Sequence, residues 1–210
     1  MDTNANTEER IREAAFRALA EHGYADLSLT DIGEELGQNP SLIYHYYDSK
    51  DDLLVSMLEG FTDVFVSRQL AEPITDAEER LSRLVDQVRH PTQSRAKRLM
   101  ATPPADMETA VARVHIELWS QASRDPEYRE RATAVRERLR GAIVEILEAG
   151  VEGGEFDVDD PEQTAEHVLA LLLHELHTRA TTNRTGSVER IESLLDETIA
   201  DLRSDAADAS

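Results

Sequence analysis

Residues 37–54 read GQNPSLIYHYYDSKDDLL, and the way this stretch divides decides what the chain is. Gly37 suits a turn, Asn39 a helix cap, and Pro40 the first position of a helix. At 100° per residue, Ile43 and Tyr47 share one stripe and read as its buried side. Ser41 and His45 point the opposite way with Leu42 beside them, while Tyr44 and Tyr46 flank the two sides. Asp48 and Ser49 end this helix and cap the next, which opens at Lys50.

Upstream, Asn6 or Thr7 caps a first helix with Ile11, Ala15, Ala18 and Leu19 on its apolar face, and Gly23 ends it. Ser28 caps a short second helix from Leu29 to Leu36, with Asp31 well placed in its first turn. Two short helices joined by a glycine turn, the second with an exposed polar face, describe a helix-turn-helix. In that motif the second helix lies in the major groove of double-stranded DNA. Tyr44 and Tyr46 can then each give a hydroxyl to a phosphate oxygen, which positions the helix without adding charge. Lys50 and the exposed N–H groups of the following helix can grip a further phosphate. Taken singly these residues have plainer meanings, such as half-buried packing for a tyrosine and capping for Asn39. Their joint spacing is what points to DNA.

Downstream, Leu54, Met57, Leu58, Phe61, Val64 and Phe65 recur at helical spacing until Pro73. Breaks at Pro91, Pro103-Pro104, Pro126, Gly153-Gly154 and Thr185-Gly186 separate helices near 76–90, 92–101, 105–124, 127–150, 161–181 and 187–203. The expected fold is all-α with about ten helices and no strands. Residues 1–48 form the helix-turn-helix DNA-binding unit, and residues 49–210 a larger helical domain for effector binding and dimerisation.

The run from Glu21 to Leu54 resembles the DNA-binding domain of tetracycline-repressor-like (TetR) transcriptional regulators. Gly23-Tyr24, Ser28 before Ile32-Gly33, Gly37-Gln38-Asn39, Ile43-Tyr44, Tyr46-Tyr47 and Lys50 carry the likeness. Gly33 stands where the family has alanine, Gln38 for valine, Asn39 for the capping serine, and Ser41 where glycine is common. The resemblance implies phosphate contacts at Tyr44, Tyr46 and Lys50, with Ser28 and Thr30 near the backbone. It places base reading on Thr30, Gln38, Pro40, Ser41, Leu42 and His45. None of these is arginine, so a bidentate grip on guanine is not available from this helix. Leu42 and Pro40 can press on thymine methyls, and Gln38 and Asn39 can pair with adenine. A palindromic operator with A·T steps in each half, read by a homodimer and released by a small effector, is the implied function.

The charge balance runs against this reading. The chain carries 43 acidic and 22 basic residues, net −21, and only Lys50 and Lys97 are lysines. Acidic excess with scarce lysine resembles haloarchaeal proteins adapted to molar salt, where the Debye length is only about 3 Å. Residues 1–50 hold ten carboxylates against four cations, yet Gln38–Tyr47 has no carboxylate at all. Acid is kept off the reading face.

No cysteine is present, which excludes disulfides and thiol chemistry. Neither a signal peptide nor an apolar run long enough for a membrane is visible, so a cytoplasmic protein is expected. No serine, histidine or acid falls in a nucleophile elbow, phosphate loop or metal-ligand motif. No catalytic role, cofactor or metal is expected, and a helical enzyme or DNA-independent ligand carrier is the rival class. PEQTAEHVLALLLHELHTRA, starting at Pro161, is apolar over most of its circumference. With Val135, Leu139, Ile143, Ile146 and Leu147 it suggests a four-helix bundle with a second chain, the alternative being the ordinary core of one chain. His167, His174 and His177 lie on one side of it, where interface packing is a better account than metal binding. His115 and Trp119, four apart, either line a ligand cavity or belong to the core, and Met100 and Met107 would suit an adaptable lining. The family resemblance is the only warrant for a pocket.

Overall fold

A computed structural model describes residues 3–71, 76–90, 106–182 and 185–203. Among these, nine helices follow one another: α1 Thr3–Asp26, α2 Leu29–Glu35, α3 Pro40–Tyr46, α4 Lys50–Ala71, α5 Ala77–Arg89, α6 Met107–Ala122, α7 Pro126–Gly153, α8 Pro161–Thr181 and α9 Thr185–Ala200. The expected helix near 92–101 lies outside the described residues. The punctuation residues act as their chemistry dictates. Asp125 and Asp160 cap α7 and α8, each followed by proline at the first position, where no backbone donor is lost. Gly154 closes α7 in the left-handed conformation at φ 75°. Gly23, at φ 75° and ψ 174°, breaks α1 near its end.

Two buried clusters hold the chain together. The first gathers Ile11, Phe16 and Leu19 of α1 with Ile32 of α2, Ile43 of α3 and Met57 of α4. It continues without a break into Met107, Val114 and Leu118 of α6 and Tyr128 and Ala132 of α7. The division expected near residue 48 therefore runs through a shared core. The second cluster joins α5, the C-terminal half of α7, α8 and α9 through Leu81, Ile143, Leu147, Leu169, Leu172 and Leu195.

This second cluster changes the reading of α8. Val168, Leu169 and Leu172 are fully buried within one chain, as are Ile143 and Leu147 of α7. Helix α8 packs against α5, α6, α7 and α9, so most of its apolar girth is covered inside the chain. Of the apolar side chains that the sequence offers for a four-helix bundle with a second copy, Val135, Ile143, Ile146, Leu147, Val168, Leu169 and Leu172 are buried within the chain, while Leu139, Leu171 and Leu173 are half-buried. His167, His174 and His177 lie on the exposed side of α8.

Polar groups tie the second cluster across four helices. The buried Arg89 of α5 places Nε 3.0 Å from Oε2 of the fully buried Glu175 of α8. Its Nη1 donates to Asp196 of α9 at 2.6 Å. Arg179 of α8 reaches Glu175 and Glu192, both at 2.8 Å, and Glu108 of α6 at 2.5 Å. Burial pushes the Glu175 carboxyl above its ordinary value, and the Arg179 and Arg89 guanidiniums oppose that rise.

Candidate nucleic-acid interface

The reading helix is seated by the side chains that face inward. Ile43 is fully buried and Tyr47 nearly so. The turn before it passes through Gly37 at φ 62°, a conformation that costs glycine nothing. Gly33 of α2 lies under the start of α3, where an added Cβ would sit 3.0 Å from Cα of Pro40. The glycine at this position thus permits the close crossing of the two helices. Ser28 Oγ accepts from Asp31 N–H at 3.1 Å, and Asn39 Oδ1 accepts from Ser41 N–H at 3.0 Å.

With those residues fixed, the outward face is defined. Thr30, Gln38, Asn39, Ser41, Tyr44 and His45 are exposed, and Tyr44 is 56% exposed, unusual for a ring of that size. Ser28, Pro40, Leu42 and Tyr46 are half-buried at its edges, with Tyr46 also packed on the first cluster. The His45 and Tyr46 rings meet edge to face at 5.4 Å. One surface therefore carries hydroxyls, amides and an imidazole with no carboxylate among them.

Lys50 finds partners within the head itself. Its ammonium donates to the carbonyls of Tyr24 at 2.7 Å and Leu27 at 3.0 Å, and lies 3.9 Å from the centre of the Tyr24 ring. Tyr24 in turn donates its hydroxyl to Asp51 at 2.6 Å. Burial, then the hydrogen bond to Asp51, pushes the Tyr24 phenol up to about 12. Lys50 thus fastens the link between α1 and α2 to the start of α4, with two of its three donors committed inward. Asp51 and Asp52 also occupy the first turn of α4, where a phosphate was expected. Asp52 accepts from Arg131 of α7 at 2.8 Å, and Arg131 forms two further bonds to Glu59 at 3.1 and 2.9 Å. Tyr24 went unnoticed as a partner because 26 residues separate it from Lys50 and no local spacing marks the pair.

Behind the head, α1, α4, α5, α6, α7 and α8 enclose a cavity of about 200 Å³. Met107, His115 and Trp119 line it, while Met100 lies outside the described residues. Trp119 also packs on the first cluster, so cavity wall and core are not alternatives for it. Burial, with a smaller contribution from His177, pushes the His115 imidazole down to about 4 and keeps it neutral at neutral pH. Phe16, Met57 and Gln87 line the same space, and no local pattern marks them as its wall. Among the described residues no group of three or more His, Cys, Asp or Glu is placed to hold a metal ion. No helix among them is long and apolar enough to cross a membrane.

A small helical head presenting one polar helix, built onto a larger helical body, defines a helix-turn-helix DNA-binding transcriptional regulator. Residues 11–57 match the bacterial regulatory proteins of the tetR family, and residues 77–204 match the C-terminal domain of BetI-type transcriptional repressors. The chain belongs to the tetR family. It is 33% identical over 145 residues to the HTH-type transcriptional repressor SCO4008 of Streptomyces coelicolor, covering 68% of this chain and 70% of that protein. It is 23% identical over 205 residues to the HTH-type transcriptional repressor AcnR of Corynebacterium diphtheriae, covering 95% and 97%. Among solved structures, a TetR transcription regulator from Haloarcula marismortui superposes with a TM-score of 0.76 at 25% identity, covering 95% of this chain and all of that one (100%). A transcriptional regulator from Saccharomonospora viridis, in complex with choline, gives 0.73 at 26%, covering 93% and 96%.

Proposed function

We propose that this regulator is a cytoplasmic repressor that binds a palindromic operator as a homodimer and leaves it when a small effector enters the cavity. The observation that carries the DNA-binding part is the carboxylate-free outward face of α3 on a head otherwise rich in acid. One helix of seven residues offers too little surface for specific binding. Two heads on successive major grooves, about 34–36 Å apart, supply enough. The repressor role is supported by the names of the relatives above. Retention of a duplex carrying an inverted repeat, beginning with the protein's own promoter, tests this reading. Sedimentation at the same concentration should give a dimer. A stable monomer that still binds the duplex tightly would sink it.

Positioning and reading divide the face. Tyr44→Phe should weaken binding to every sequence by about 0.5–1.5 kcal/mol, the loss of one hydrogen bond. Changes at Ser41 or His45 should instead alter which bases are preferred. Binding assays over a panel of operator variants separate the two patterns, and an even loss from Ser41 and His45 substitutions would count against the division.

The molar-salt reading gives a further expectation. Binding by phosphate contacts ordinarily weakens with salt, log K falling by about 0.9 per contact per decade. This head supplies few cations, and the ammonium of Lys50 is held by two carbonyls. Repulsion between a chain of net −21 and DNA is relieved by the same salt. Operator affinity should stay flat or rise from roughly 0.2 M to molar potassium chloride, with the unfolding temperature rising alongside. Titration of a labelled operator over that range, with circular dichroism, measures both. A steep fall in affinity with the fold intact would leave the acidity without this explanation.

A further inference from the structure

We propose that the cavity admits an uncharged, mainly apolar molecule bearing one hydroxyl or N–H group, and that Oε1 of Gln87 receives its hydrogen. This rests on the effector reading above and narrows it to a class of ligand.

The size sets the first limit. An engineered cavity of about 150 Å³ holds benzene, so a space of about 200 Å³ suits one six-membered ring with a short substituent. The lining sets the second. Phe16, Met57, Val114, Leu118, Trp119 and Leu173 typify a wall that is aliphatic and aromatic nearly throughout.

The polar groups set the third limit. Gln87 of α5 lines the cavity; its Oε1 is shut off from solvent and has no hydrogen-bond partner among the described residues, so a rotation of the amide turns it to meet a ligand. An acceptor left in that condition forfeits its hydration, so a donor brought by a ligand restores what folding removed. His115, neutral for the reason given above, adds one donor and one acceptor but no charge. The charged residues at the margin are engaged or solvated. Arg136 is bound to Glu166 and Glu137. Arg12 pairs with Glu8 at 3.6 Å while its stem crosses Gly60. Glu9 is exposed, and Glu13 has a partner of its own. A carboxylate entering this space would lose its hydration and meet no free cation among the described residues. Among the described residues a quaternary ammonium would find Phe16 and Trp119 as the two carbocyclic aromatic side chains of the wall, where recognition of such cations uses an aromatic cage. The choline held by the Saccharomonospora viridis protein is therefore a poor fit to this wall.

Trp119 is the only tryptophan of the chain, so its emission reports on the cavity directly. Full-length protein is titrated with four probes of related size: 2-phenylethanol, ethylbenzene, phenylacetate and choline. The alcohol should shift the emission saturably and bind about two- to tenfold more tightly than ethylbenzene, the yield of one hydrogen bond. Gln87→Leu should erase that preference while ethylbenzene still binds, which also shows that the variant has folded. Val111→Phe, which fills the space, should abolish the response to all probes with the helical circular dichroism kept. Phenylacetate and choline should leave the emission unchanged. The inference is overturned if either charged probe binds as tightly as the alcohol, if Gln87→Leu keeps the preference, if the response survives Val111→Phe, or if no probe moves Trp119. Operator retention is followed in parallel. Alcohol that fills the cavity without loosening the operator counts against the effector reading alone, whereas release by choline with the alcohol silent overturns the ligand class alone.

Discussion

Arg89→Leu should destabilise the fold by about 3–5 kcal/mol, the usual cost of removing one partner from a buried ion pair. Glu175 is 0% exposed, and without Arg89 it keeps Arg179 as its remaining cation. Asp196, also freed, is exposed and returns to water at little cost. The loss should depend on pH in a definite direction. Burial already raises the folded-state pKa of Glu175, so its protonated form favours the fold and its ionised form opposes it. That favourable contribution is complete below the unfolded value of about 4.3 and is lost as pH rises through the folded value. Removing Arg89 takes away one cation that restrained the rise. The deficit relative to the parent should therefore be largest near neutral pH and shrink on acidification towards the glutamate range. Urea unfolding at several pH values measures it. Arg89→Leu combined with Glu175→Leu should be more stable than Arg89→Leu alone, and a double variant no better than the single would assign the cost to lost packing.

Gly150→Ala and Gly141→Ala should have opposite signs, although both lie within α7. An added Cβ at Gly141 meets nothing within 4 Å, so the gain in helix propensity acts alone and stabilises by about 0.5–1 kcal/mol. At Gly150 the same atom would fall 2.1 Å from Cδ2 of Phe156. The backbone that carries that ring is held in place. Its own N–H is bonded to the carbonyl of Gly150 at 3.1 Å, and Asp157 N–H holds the carbonyl of Leu202 at 2.9 Å. Overpacking of this kind costs about 1–3 kcal/mol, which exceeds the propensity gain. Thermal or urea melts of the two variants give the comparison directly. Stabilisation by both would mean that Phe156 moves aside freely.

The contrast between these glycines shows where sequence reading works. Helix starts at Pro126 and Pro161 were legible because proline and the aspartate before it act on their own neighbours. The inward stripe of Ile43 and Tyr47 was legible because helical periodicity is local and the head is small. Long-range pairings were not. Arg89, Glu175 and Arg179 look like ordinary solvated charges on three-sided helices until the fold brings them together. Gln87 carries no pattern that marks its carbonyl as orphaned. The apolar girth of α8 was visible, but periodicity says only that a face is covered, not which chain covers it. The direction of the Lys50 ammonium depends on Tyr24, which follows the Gly23 break within α1.

Phe16 and Met57 belong to the buried cluster that seats the recognition helix and also form part of the cavity wall. A molecule entering the cavity would press on side chains of the same cluster that Ile43 joins, so a sensing unit and a reading unit would share one core. Occupancy and DNA reading would draw on a single set of packing contacts. Transplanting residues 1–48 onto a foreign body would expose the part of that cluster now covered by α6 and α7.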